Sequence, residues 1–106
     1  MGTQRVQFAR QYRAALLDFL LGSGESGRER ALTLGRQALE SGLGLLHIIR
    51  VHQNALNAIL ESTDVVDRSL RRLQASQDFL FETLSPFEMT YRGYLELLKL
   101  ERRQPE

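Results

Sequence analysis

The chain has no cysteine, no tryptophan and only two prolines, and fourteen basic residues against thirteen acidic ones leave a formal charge of +1. Without cysteine there is no disulfide framework, no thiolate metal site and no cysteine nucleophile, a composition that suits a reducing cytoplasm. The near-balance of charge removes the general argument for a nucleic-acid binder, which gathers a clear basic excess on one face. Thirteen of the fourteen basic residues are arginine, which fits genome composition better than function. No run approaches the roughly 20 apolar residues that cross a bilayer, and the polar opening Thr3-Gln4-Arg5 does not read as a signal peptide. The expectation is a cytoplasmic chain with neither nucleic acid nor membrane as partner. Its 106 residues make one domain, 1–106, able to bury about two-thirds of its unfolded surface.

The strongest positive signal is helical periodicity. Phe8, Tyr12, Leu16, Phe19 and Leu20 recur at spacings of three and four, predicting a helix over about 3–21 that Gly22 closes in the left-handed conformation. A second helix, about 27–40, is expected to start at Ser26 as N-cap with Glu29 completing a capping box. Its apolar face (Ala31, Leu34, Ala38, Leu39) is thin, and Gly35 predicts close approach to a neighbour. The third helix, about 45–61, carries the cleanest stripe, from Leu45 through Ile48, Ile49, His52 and Leu56 to Ile59 and Leu60. Ser62, Thr63 or Asp64 is suited to cap a fourth helix.

That fourth segment, about 65–102, holds Val66, Leu70, Leu73, Gln77, Leu80, Leu84, Phe87, Tyr91, Tyr94 and Leu98 in unbroken heptad phase. Pro86 falls inside it. Local rules would stop the helix at Leu84 and restart it with Ser85 as N-cap, but a loop would free the two halves to choose separate phases. One long helix kinked near Pro86 is therefore expected, with a break as the alternative. Four helices with short connections specify an all-α, mainly antiparallel four-helix bundle, and its long last helix exposes Leu97, Leu98 and Leu100 unless another chain covers them.

Catalytic chemistry is scarce. His47 and His52 stand roughly 140° apart around one helix and cannot share a metal ion. No Glu-x-x-His repeat is present, and the glycine-rich stretch from Gly22 to Gly27 lacks the Gly-Lys-Ser/Thr of a phosphate loop. We expect no metal, no cofactor and no enzyme activity. His52, alone in interrupting an aliphatic stripe, reads either as a buried neutral histidine or as a pH or ligand sensor. Gln77, a lone polar residue in its seam, reads as a register device, and Arg68, Arg71 and Arg72 as a solvated cluster. A second strip on the fourth helix, Phe79, Thr83, Pro86, Thr90, Gly93, Leu97 and Leu100, is small in the middle and apolar at its ends. It reads as a homodimer contact or, within a monomer, a second core face. Phe81 lies on neither strip.

Two segments, Ile48-Ile49-Arg50-Val51-His52-Gln53-Asn54-Ala55-Leu56 and the stretch from Phe79-Leu80-Phe81-Glu82 to Phe87-Glu88-Met89-Thr90-Tyr91-Arg92-Gly93-Tyr94, resemble the N-terminal domain of RsbU-type phosphatases. These are regulators of the bacterial partner-switching stress response, and related domains precede sensor-kinase modules. The resemblance covers about Phe8 to Leu100. It implies a helical bundle that dimerises, receives a regulatory protein such as a switch kinase, and signals through a helical linker to a C-terminal PP2C-type phosphatase. It further implies a partner surface at the start of helix two and the middle of helix four, which on this chain means Glu25, Glu29, Phe81 and Ser85.

Two functions fit these residues. In the first, the chain is a non-catalytic dimeric input domain, either excised from a longer protein or standing alone, with a dimer contact at Phe79, Thr83, Thr90, Gly93, Leu97 and Leu100. Binding near Phe81 then moves a hinge at Pro86, and the last helix reorients an output domain. In the second it is a small-molecule sensor with a pocket near His52.

Overall fold

A computed structural model describes residues 2–62 and 70–103. Four helices account for almost all of them: α1 Gly2–Leu20, α2 Glu25–Glu40, α3 Leu45–Ser62 and α4 Leu70–Arg103. The all-α four-helix bundle expected from periodicity is the observed architecture. The expected start of the last helix at 65, its Val66 and Arg68, and the caps Thr63 and Asp64 lie outside the described residues.

Two connections are short because glycine closes each helix. The Gly22 N–H reaches the Phe19 carbonyl at 3.0 Å and the Ser23 N–H reaches that of Asp18 at 3.1 Å, with Gly22 at φ 108°. The same double bond recurs after α2, where Gly42 at φ 77° bonds Leu39 and Leu43 bonds Ala38. This arrangement satisfies carbonyls that a helix end leaves free, and it buries Leu43 beneath the turn. These tight turns reverse the chain between α1, α2 and α3. Arg72 donates to the Leu20 carbonyl, which sets the start of α4 beside the end of α1. Helices α1 and α3 therefore run one way, α2 and α4 the other.

The beginning of α2 departs from expectation. The helix starts at Glu25, with Gly24 as an N-cap that makes no side-chain bond, and Ser26 donates to the Ser23 carbonyl instead of forming a capping box. Gly27 explains the earlier start: a Cβ there would run into Ser23 and come within 2.6 Å of the Phe19 ring, so this first turn lies tight against the end of α1.

No break occurs in α4 at Pro86. Proline deprives the Glu82 carbonyl of its normal N–H donor, and the Ser85 hydroxyl replaces it at 3.2 Å. Ser85 therefore bonds back into the helix and does not act as N-cap of a new one. The core-facing side of α4 is Ser76, Phe79, Thr83 and Pro86. Phe79 packs against Tyr12 and Phe19 with ring centroids 5.2 and 5.6 Å apart. Thr83 and Pro86 meet Gly35, where a Cβ would fall within 2.9 Å of the Thr83 carbonyl carbon and 3.2 Å of Pro86 Cδ. The thin face of α2 thus selects the narrow strip of α4 rather than its bulky heptad seam. The seam is turned outward: Leu80, Leu84 and Phe87 are half-buried at the edge of the core, while Gln77, Tyr91 and Tyr94 are exposed.

Candidate functional site

Two places on this scaffold carry functional possibilities, one inside and one outside. Inside, the Tyr12 hydroxyl and His52 Nδ1 are 2.7 Å apart, joining α1 to α3 across the core. His52 is only 5% exposed, and burial holds its pKa down to about 4. The imidazole is therefore neutral near pH 7, and its Nδ1 shares one hydrogen bond with the Tyr12 hydroxyl. Burial likewise raises the Tyr12 pKa, with the nearby Thr83 hydroxyl opposing it in part. Thr83 itself donates to the Phe79 carbonyl at 3.0 Å. Three helices thus meet in one small polar cluster wrapped in aromatic rings, with the Tyr12 and His52 rings edge to face at 5.7 Å. His52 lies in the wall of none of the main surface clefts. Among the described residues no group of three His, Asp or Glu is placed to hold a metal ion.

Outside, a cleft of about 470 Å³ opens beside α4, walled by Leu45, Phe81, Leu84, Ser85, Phe87, Glu88 and Tyr91. Its lining is apolar except at Ser85 and Glu88. Phe81 is 64% exposed, and Tyr91 is 59% exposed at the far lip. Such large rings facing solvent in a concave apolar site are unusual for a surface that stays uncovered. Beyond the cleft α4 continues past the bundle. Its 34 residues span about 51 Å, against a longest molecular dimension of 64 Å, and Met89, Tyr94, Leu97 and Leu100 on its last turns are exposed.

The structure separates the residues singled out from sequence. Phe81 and Ser85 share the cleft, whereas Glu25 and Glu29 are exposed on the first turns of α2 and do not line it. Of the strip read as a contact between copies, Phe79 and Thr83 have no exposed surface, because they fill the chain's own core. That part of the strip is the core face, and the dimer reading does not extend to it. Thr90, Gly93, Leu97 and Leu100 remain exposed on the projecting end. Pro86 is buried against α2. Leu45, read as part of the core stripe, instead lines the cleft, and Leu46 beside it is 73% exposed. The signal available in sequence was their position at the first turn of α3, where a stripe begins before its partner helix is in reach.

The fold is an all-α helical bundle whose last helix carries exposed aromatic side chains. The chain belongs to the family described as the N-terminal domain of the phosphoserine phosphatase RsbU, whose model matches residues 10–90. That domain is the regulatory part of the phosphatase and not its catalytic part. No curated protein and no solved structure matches the chain significantly. Among the described residues no helix is long and apolar enough to cross a membrane.

Proposed function

We propose that this chain is a non-catalytic input domain that receives a regulatory protein of the switch-kinase type in the cleft around Phe81 and Ser85. The observation that carries this reading is the exposed Phe81 ring in an apolar cleft on the helix that leaves the bundle. Buried aromatic anchors supply most of the affinity at such interfaces, and a partner covering a standard ~800 Å² also reaches beyond the cleft. Glu25 and Glu29 belong to the contact only through that wider footprint.

The event then travels along α4. Because Pro86 is locked against Gly35 and its helix is continuous, the relay works as a rigid lever more readily than as a hinge. Two chains joined along the outward seam and the projecting end of α4 would pass a change in crossing angle to a C-terminal phosphatase or kinase domain.

Isothermal titration against the switch kinase of the same genome tests the docking step. Phe81→Glu is expected to weaken binding about a hundredfold with an unchanged helical spectrum and melting temperature, as for loss of an interface anchor. Equal affinity for the variant would remove Phe81 from the contact. The pairing step is read by size exclusion with light scattering. Wild type is expected at twice the chain mass, and the double variant Tyr94→Glu, Leu98→Glu at one chain mass. A wild-type monomer at high concentration would end the lever model.

A further inference from the structure

Docking at Phe81 and pairing along α4 leave the α1–α3 side of the bundle unused. A second groove runs there, about 330 Å³ in volume, with a floor of Ala9, Val51, Ala55 and Ala58 and rims formed by Arg10 and Arg13 on α1 and by Asn54 on α3. A floor of one- and three-carbon side chains between two helices leaves a trough of the kind that a ridge of larger side chains from a third helix fills.

Charge on this side is segregated, although the whole chain is nearly neutral. Helix α1 carries Arg5, Arg10 and Arg13 against the one acid Asp18, and α3 carries Arg50 against Glu61. Neither acid lines the groove. Among the described residues the ion pairs, Arg92 with Glu88 and Lys99 with Glu96, both lie on α4. Among the described residues the two rim arginines thus have no carboxylate in an ion pair with them. Guanidinium groups three residues apart on one helix stand on one face and present two planar forks to whatever lies in the groove.

We infer that this groove docks an acidic amphipathic helix of a partner protein, separate from the contact at Phe81. Leucine or isoleucine side chains of that helix pack on the alanine floor, the carboxylates of one flank meet Arg10 and Arg13, and amide or hydroxyl groups of the other flank meet Asn54. The unequal rims fix the direction in which the helix lies. A nucleic-acid backbone would want cations on both rims over a polar floor, and a membrane surface would want a protruding apolar ridge where this site is concave.

The probe is a synthetic helical peptide with a leucine stripe flanked by glutamates, titrated into the isotopically labelled chain and followed by amide chemical shifts. Expected are shifts confined to the groove, at Ala9, Arg10, Arg13, Val51, Asn54, Ala55 and Ala58, binding weakened about tenfold by Arg10→Glu with Arg13→Glu, and weaker binding of the lysine-flanked peptide. Ala58→Trp, which fills the trough at its half-buried edge, is expected to abolish the shifts, while Phe81→Glu leaves them intact and so separates this site from the cleft. Shifts centred on Phe81 and Tyr91, indifference to the arginine reversals, absence of shifts, or equal response to phosphatidylglycerol vesicles or to an oligonucleotide would each overturn the inference.

Discussion

Replacing Gly35 by alanine is expected to lower the melting temperature of this domain by about 10 °C, although alanine is the better helix former. Two effects oppose each other. Removing glycine from a helix interior favours folding by about 1 kcal/mol. The new methyl, however, lands on the Thr83 carbonyl, a backbone group that moves only if α2 and α4 separate. Overpacking at a site of this kind costs typically 1–3 kcal/mol and more where backbone must shift, so the net loss is about 2 kcal/mol, which for a domain of this size corresponds to the stated change. Thermal melting by circular dichroism reads it directly. A second consequence is functional: Gly35 sets the spacing at Thr83 and Pro86, one turn from the cleft at Phe81 and Ser85. Gly35→Val is expected to be worse in both respects, and a Gly35→Ala protein as stable as wild type would mean that the helices do not touch here.

Acid is expected to destabilise the fold through one side chain. His52 is neutral in the core with a pKa near 4, while the unfolded chain takes up the proton at about 6.5. Below pH 6.5 the unfolded state binds more protons than the folded one, so stability falls as the pH is lowered. The contribution of the neutral histidine is fully present above pH 6.5 and is lost between there and about 4, amounting to about 3 kcal/mol over that window. Urea unfolding at a series of pH values measures it. Because Tyr12 and His52 share a buried hydrogen bond, removing either partner takes from the other its bond across the core, while the double replacement Tyr12→Phe with His52→Leu removes both needs at once. The double variant is expected to fold and to lose most of the slope between pH 6.5 and 4. An unchanged slope would assign the acid sensitivity to other groups.

Much of the fold was legible because helical burial has a period. The stripe of α1 predicted which of its faces turns inward, with Tyr12 and Leu16 fully buried. That of α3 did so in part, since Ile48, His52 and Ile59 are buried but Leu45 is exposed and the buried Val51 and Ala55 lie off the stripe. Gly22 was equally readable, since a positive φ after a helix is a local demand that glycine meets at least cost. The start of α2 was not, and the capping box expected at Ser26 does not form. Local capping is worth about 1 kcal/mol, and the close packing of Gly27 on Phe19 and Ser23 settled the start of α2 instead. The candidate site was legible in part. Phe81 stood out because it fitted neither strip of α4, yet the cleft also needs Leu45 and Phe87, which sequence spacing places on core stripes.

By itself, the sequence determined the number and type of elements, where two of them end, and the scarcity of catalytic and metal-binding groups, because propensity, periodicity and residue chemistry act over a few neighbours. It also required α4 to have more apolar surface than one bundle buries. Only the tertiary structure decided which of the two strips of α4 would be turned inside. The heptad seam is the more regular pattern, but regularity is a property of one helix, while packing is a property of two. A partner as flat as Gly35 admits Thr83 and Pro86 and has no room for Leu84 or Tyr91. The seam was left facing outward with Phe81 beside it, and from that choice come both the cleft and the projecting lever on which the proposed function rests.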